Sequence, residues 1–331
     1  MDPLTLDALD RQLVHALQID GRAAFSHLAA VLGTSDRTIA RRYRRLRSAG
    51  AVRVVGLPDG RHFGHVDWLV RLRCTPDAAT AVAAALARRQ DTSWVSLISG
   101  GTEITCITRT SGGAAGAKDG ELLLQKLPRT PRITAVTAHC LLRAVAGTSG
   151  WPGRTAALTP RQIDDLRPAS TPSPHTGHDL KHTDADNALF TELAKDGRTG
   201  YPDLARATGW SETTVRRRLD QLRRTNTLHF AVEADPLLFD HTTEVMLWLT
   251  IAPAALTTVT QALSTHPEIG FAAATTGPAN VVAFVVCRDA DALYDYLATR
   301  IGALDGVLQA ETAPVVRRVK GAGTLLVPPS G

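Results

Sequence analysis

The sequence predicts an α+β protein: two winged-helix-like helix-turn-helix units, each followed by a ferredoxin-like βαββαβ unit. Two observations predict it. An arginine-rich, capped helical stretch occurs twice, 176 residues apart, each time behind two short amphipathic helices and a glycine turn. Each occurrence is followed by strand-type and helix-type segments in β-α-β-β-α-β order. The expected boundaries are 1–58 for the first helical unit and 64–147 for the first βαββαβ unit. A linker with one short helix spans 148–181, and the second pair of units spans 182–235 and 242–323.

Leu6, Leu9, Leu13 and Leu17 form the apolar face of the first helix, which ends before Asp20-Gly21-Arg22. Phe25 to Leu32 forms the second, and Gly33-Thr34 supplies the turn into the third. In that third helix Ile39, Tyr43 and Leu46 make one apolar stripe, with Ser35 as N-cap. Arg37, Thr38, Arg41, Arg44 and Arg45 then face the other way. Ala51 to Gly56 reads as a strand, a small wing or hinge. Val66 to Cys74 alternates as a strand, and Thr75-Pro76 reads as the capped start of an Ala-rich helix reaching Arg89. Strands follow at Ser93 to Ile98 and Glu103 to Thr108, joined by Ser99-Gly100-Gly101-Thr102. Ser111 to Ala117 is a Gly/Ala loop, Glu121 to Leu127 a short helix, and Ile133 to Val145 the last strand.

Thr159-Pro160 starts the linker helix, and Pro168 to Gly177 is Pro/Ser/Thr-rich. Then the pattern recurs. Asp10, Leu13, Leu17, Asp20-Gly21-Arg22, Leu28-Ala29, Gly33, Ser35, Thr38, Arg41-Arg42 and Leu46-Arg47 all have identical residues 176 positions on. In the βαββαβ half the offset is 177, pairing Pro76 with Pro253 and Gly100 with Gly277.

The chain has 331 residues, 44% hydrophobic and 21% charged, with a net charge of +5. That describes a globular protein with room for several cores. The basic residues are concentrated: seven arginines and one acid lie between Ser35 and Arg53. Such a field favours a polyanion. The four cysteines, 74, 106, 140 and 287, are scattered and read as core residues in a reducing compartment. No signal-peptide pattern and no membrane-length apolar run is visible, so a soluble cytoplasmic protein with no membrane contact is expected.

These residues resemble the Lrp/AsnC family of transcription regulators, duplicated in tandem. The resemblance is carried by the opening Leu6 to Arg22, by Leu28-Ala29, Gly33, Ser35 and Thr38, and by their counterparts Asp184 to Arg198, Leu204-Ala205 and Ser211 to Leu222. It implies a double-stranded DNA partner rather than a catalytic site. The expected DNA-binding residues are Ser35, Arg37, Thr38, Arg41, Arg42 and Arg45 in the first copy. In the second they are Ser211, Thr213, Thr214, Arg216, Arg217 and Arg218. The resemblance further implies that the βαββαβ units are ligand-sensing (RAM-type) domains that pair, within the chain or as a homo-oligomer. They would bind a small effector such as an amino acid near the turn between their second and third strands. Those turns nominate Ser99, Gly100, Gly101 and Thr102, and Thr276, Gly277, Ala279 and Asn280. Their acidic positions are reduced to Glu103 and Asn280, a departure from the usual amino-acid site.

The His62/His65 pair and the linker histidines 175, 178 and 182 lack the frame of a metal site, so neither metal nor cofactor is expected. The tryptophans read as packing residues, although Trp210 lies in the helix-turn-helix turn, within reach of a sugar-phosphate. Sirohaem decarboxylases resemble the same two-domain unit and supply the alternative, an enzyme. They carry His and Arg/Tyr near the second and third strands, and none of the eleven histidines lies in the corresponding turns here.

Overall fold

The computed structural model describes residues 4–111, 127, 130–147, 156–167 and 183–323. The expected loop from Ser111, helix from Glu121 and Pro/Ser/Thr linker lie outside these residues, apart from Ser111 and Leu127. The chain forms two compact units, each assembled from both copies. One comprises Met1–Phe63 with Ser149–Asp240, the other Gly64–Thr148 with His241–Gly331.

In the helical unit, α1 (Ala8–Ile19) starts at a reciprocal capping box between Asp7 and Asp10 and buries Leu13, Val14 and Leu17. The second helix, α2 (Phe25–Leu32), ends at Gly33 in the left-handed conformation. The third, α3 (Asp36–Ser48), is capped by Ser35, whose Oγ accepts from the Thr38 amide at 3.1 Å, and it buries Ile39, Tyr43 and Leu46. The second copy repeats this in α6 (Asp184–Lys195), α7 (Tyr201–Thr208) and α8 (Glu212–Arg224), with Ser211 capping α8 over buried Val215, Leu219 and Leu222. Between the copies, α5 (Pro160–Leu166) has a capping box between Thr159 and Gln162. It docks on the first copy: Leu166 is buried, Gln162 Nε2 donates to the Val31 carbonyl and the Ala157 amide donates to His15 Nδ1.

The strand expected as a wing has a different role. β1 (Val52–Pro58) pairs antiparallel with β6 (Leu228–Ala234) of the other copy, from Val52 opposite Ala234 to Pro58 opposite Leu228. A two-stranded ribbon alone is marginal in water, so it needs the helices packed on it. One continuous apolar core, including Leu17, Val54, Leu193 and Phe230, serves both copies.

In the sheet unit the first copy supplies β2 (His65–Cys74), α4 (Ala79–Ala87), β3 (Thr92–Ile98), β4 (Glu103–Ser111) and β5 (Ile133–Ala146). The second supplies β7 (Thr243–Ile251), α9 (Leu256–Leu263), β8 (Ile269–Thr275), β9 (Val281–Cys287), α10 (Ala290–Asp295) and β10 (Val307–Arg318). The helix starts later than the Thr75-Pro76 pattern predicts. Residues 75–78 form a turn, with the Ala78 amide donating to the Thr75 carbonyl, and the helix begins at Ala79. After α10 the chain continues through a π-helical turn, Tyr296–Ile301.

The eight strands close in the order β10-β3-β4-β2-β5-β8-β9-β7. Closure depends on the two long last strands. β5 pairs with its own β2 up to Cys140 and with β8 of the other copy from Leu141; β10 divides in the same way between β7 and β3. This satisfies edges that a free four-stranded sheet would expose. Leu69, Ile98, Trp248, Ala273, Val282 and Ala313 form the core between the two sheets, while separate cores lie under the helices of each copy.

Candidate nucleic-acid interface and ligand cavity

The apolar stripes of α3 and α8 turn inward, leaving the opposite faces in solvent. Ser35, Arg37, Arg41 and Arg45 are exposed on α3, as are Ser211, Thr213, Arg216 and Arg217 on α8. Among the described residues the guanidinium groups of Arg37, Arg41 and Arg217 have no hydrogen-bond or ion-pair partner. They are available to an anion. Thr38 and Thr214 are half-buried, each with its hydroxyl 2.9 Å from the capping serine.

Other expected contacts are engaged inside the protein. Arg42 pairs with Asp7 at 2.6 Å and with the buried Asp10 at 2.9 Å, and Arg45 also reaches Asp10. Arg218 pairs with the buried Asp186 at 2.8 Å, repeating the Arg42–Asp10 contact. Burial acts to raise the Asp186 carboxyl, but Arg218 and the Thr183 hydroxyl and amide outweigh it and hold it below the usual carboxylate range. These arginines fasten each third helix to its first. The guanidinium of Arg216 lies 4.7 Å from the Tyr201 ring centroid, a cation–π contact that leaves its edge N–H groups open. Trp210 packs against the core of the helical unit.

The residues that sequence reasoning missed are those of the repeated Asp-Gly-Arg. Arg22 donates to the Gly197 and Thr199 carbonyls at 2.6 and 3.1 Å, and Arg198 to the Gly21 and Ala23 carbonyls at 2.7 and 2.9 Å. Arg198 lies over the Phe25 ring at 4.4 Å, and Arg22 over Tyr201 at 5.3 Å. Burial lowers the pKa of both guanidinium groups. The aspartates are shared likewise: Asp20 accepts from Arg223 at 2.9 Å and Asp196 from Arg47 at 2.8 Å. A Cβ at Gly21 would fall 2.9 Å from Phe230 and Val54, so glycine permits the close approach. The motif is an exchange of side chains between copies, and its occurrence in both was the available signal. An open cleft of about 700 Å³ is lined by the Arg47–Asp196 pair and by Arg198.

The two turns nominated for an effector are unlike. At the first, Glu103 is buried and accepts from Arg71 at 2.6 Å, Arg73 at 2.7 Å and Ser99 Oγ at 2.8 Å. Burial alone would raise this carboxyl, but the two guanidinium groups and the serine hold it below its ordinary value. Arg71 continues to Glu311 at 2.7 Å and stacks 4.4 Å over Trp248, its counterpart at the 177 offset. Thr102 turns back to the Ser99 carbonyl across Gly100 and Gly101.

At the second turn a cavity of about 200 Å³ is lined by Leu69, Arg71, His139, Trp248, Ala279 and Glu311, among others. Asn280 is not aimed into it. Its amide is spent on the Ile251 backbone, accepting at 2.9 Å and donating at 2.7 Å. Thr276 exchanges hydrogen bonds with the Cys140 backbone. Gly277 has φ +105°, and a side chain there would strike the His139 ring. No histidine lies in the turn by sequence, yet β5 of the other copy brings one beside it. Only the closure of the sheets reveals that neighbour. Among the described residues no group of three or more His, Cys, Asp or Glu is placed to hold a metal ion, and no helix is long and apolar enough to cross a membrane.

Comparison with known proteins gives the same two parts. A family model of the AsnC-type helix-turn-helix domain matches residues 6–47 and 183–223, and one of the Lrp/AsnC ligand binding domain matches 244–325. The HTH-type transcriptional regulator LrpA of Pyrococcus abyssi is 24% identical over 136 residues, 41% of this chain and 96% of that protein. An uncharacterised HTH-type transcriptional regulator from the same organism is 26% identical over 129 residues, 39% of this chain and 82% of that protein. Among solved structures, the siroheme decarboxylase NirDL superposes with a TM-score of 0.62 at 11% identity, covering 94% of this chain and 92% of that one. At that identity the likeness concerns the fold.

Proposed function

The chain belongs to the Lrp/AsnC family, with its helix-turn-helix domain present twice, and from that premise we propose that it is a DNA-binding transcription regulator. The observation that carries the reading is the pair of exposed, serine-capped faces on α3 and α8, where the guanidinium groups of Arg37, Arg41 and Arg217 stand unengaged among the described residues. Helices of this kind enter the major groove, their N-terminal residues at base edges and flanking arginines on phosphates. Ser35, Thr38, Ser211, Thr213, Thr214 and Arg216 complete the two contact faces, while Arg42 and Arg218 support them from behind and the exposed Arg45, drawn towards Asp10, stands at the edge of the first face. One chain does the work of a dimer, so two half-sites about 34–36 Å apart, or a multiple of that, are expected. The test is a mobility shift on DNA upstream of the chain's own gene. Arg41→Ala with Arg217→Ala should weaken binding at least tenfold, and wild-type affinity in that double variant would remove those residues from the interface.

The cavity beside Gly277 and Ala279 is the proposed effector site, with His139 and the rim carboxylate of Glu311 as the groups it offers a ligand and Arg71, held by Glu103 and Glu311, as part of its wall. The Ser99–Thr102 turn is assigned no ligand, because Arg71 and Arg73 already satisfy Glu103. Calorimetry with a panel of amino acids tests this, one site per chain being the expected stoichiometry. Further self-association through the βαββαβ domains fits the exposed Leu142, Leu308 and Val316 on the long strands β5 and β10, and light scattering reads it directly.

The NirDL likeness supports a second reading, a sirohaem decarboxylase. The site chemistry weighs against it. A polycarboxylate tetrapyrrole needs several unengaged cations and far more than about 200 Å³, whereas Arg71 is held by two glutamates. Anaerobic incubation with sirohaem, followed by absorption, should leave the spectrum of the tetrapyrrole unchanged.

A further inference from the structure

We propose that the chain reads a directional, non-palindromic DNA site, with a guanine contacted by Arg37 in one half-site only. The inference rests on the DNA-binding reading above and adds what the DNA must look like. Arg37 is the second residue of α3, exposed, with its guanidinium unengaged among the described residues. A free guanidinium spans the O6 and N7 acceptors of guanine with two parallel hydrogen bonds. The same position of α8 holds Thr213, also exposed. A threonine hydroxyl cannot span both acceptors, and its methyl group suits a thymine instead.

Two further positions separate the helices in the same sense. Where α3 has Ala40, α8 has Arg216, stacked on Tyr201. Where α3 has the exposed Arg44, α8 has the exposed Asp220, a carboxylate that repels phosphate. The supports behind these faces, by contrast, are alike: Arg42 on Asp10 and Arg218 on Asp186. The backbones that present the two helices are therefore equivalent while the reading side chains are not. The two readers belong to one chain, and the hydrogen bonds exchanged by Arg22 and Arg198 fasten them to each other. A homodimer would have to read the same edges twice; this chain is free of that constraint. A palindrome would leave Arg37 or Thr213 mismatched in one half.

The experiment is selection of duplexes from a random pool by the full chain at fixed salt, followed by sequencing. The expected consensus has two unlike halves, one carrying an invariant guanine. Arg37→Ala should abolish the preference at that base and lower affinity for the selected site about tenfold. Thr213→Arg should drive selection towards guanine in both halves and so towards a palindrome. A palindromic consensus for the unaltered chain, or an unchanged base preference in Arg37→Ala, would overturn the proposal while leaving DNA binding intact. A pool that shows no enrichment would overturn the DNA-binding reading itself, and this inference with it.

Discussion

Where the helical halves of the two copies meet, the contacts of the Asp-Gly-Arg segments have twins 176 residues along: Arg22 with Arg198, Asp20–Arg223 with Asp196–Arg47, Gly21 with Gly197; the Arg53–Glu233 pair across β1 and β6 has none. Where the sheets meet, the counterparts 177 residues apart are unlike. Arg71 stacks on Trp248, and Glu103, gripped by two arginines, stands where Asn280 ties down a strand end. The backbone architecture is equally duplicated in both places, so the difference lies in side chains. Symmetry persists where the side chains hold the copies together. It is lost around the site where a small molecule would be met.

The comparison breaks most easily at the symmetric interface. Truncating Arg22 or Arg198 strands two carbonyls and removes a guanidinium packed on aromatic rings, so Arg22→Ala and Arg198→Ala should each cost roughly 2–4 kcal/mol. Urea unfolding followed by circular dichroism should give nearly equal losses for the two. A gap above about 1.5 kcal/mol would show that the interface is symmetric in geometry only.

The sheet unit should behave in the opposite way. Glu103→Ala leaves the half-buried Arg71 and the exposed Arg73 without their shared carboxylate and should cost roughly 2–3 kcal/mol. Asn280→Ala, at the matching position, loses two hydrogen bonds to one residue's backbone and should cost roughly 1–2 kcal/mol. Equal costs would mean that the two turns are energetically equivalent after all.

Acid should expose the same carboxylates. Glu103 and Asp186 are held below their unfolded values of 4.5 and 3.8. Their stabilisation is therefore complete above those values and is lost as the pH falls through the lower folded ones. The urea midpoint should accordingly decline below about pH 4.5, and the decline should be shallower in Glu103→Gln, which no longer titrates there. A buried His15 adds to the slope at higher pH. Burial lowers its pKa from 6.5, so as the pH falls below 6.5 the unfolded chain takes up the proton first and stability drops.

Much of this was legible beforehand, for physical reasons. Apolar spacing and serine caps locate α3 and α8, because helix geometry is local. The βαββαβ order follows from alternation and turn residues. What the sequence could not express is which of several adjacent arginines is engaged. Arg41 and Arg42 are neighbours on one helix, yet Arg42 meets Asp10, 32 residues earlier, and Arg41 meets solvent. The role of β1 was likewise hidden, since its partner β6 lies some 180 residues on. His139 came to the Gly277 turn only through strand pairing between copies. Thr75-Pro76 misled because the cap pattern is equally that of a turn, and the turn won.

The smallest expected effect asks whether the asymmetry extends to the phosphate contacts. Each phosphate neutralised by a side chain adds close to one unit to the slope of log affinity against log salt. On α3, Arg41 and Arg44 are exposed and no carboxylate follows them on that face; on α8, Arg217 is exposed but Asp220 lies one turn beyond it. The first copy should thus release more counterions than the second. Arg44→Ala should flatten the salt slope by about one unit, and Asp220→Asn should raise affinity at low salt by no more than severalfold, the field of one exposed charge being screened within about 10 Å at 0.1 M salt. Arg41→Ala should likewise flatten the slope somewhat more than Arg217→Ala, because a phosphate contact beside Asp220 is already partly offset. Identical slopes for those two variants would confine the asymmetry to the base-reading positions, where Arg37 and Thr213 would then account for it alone.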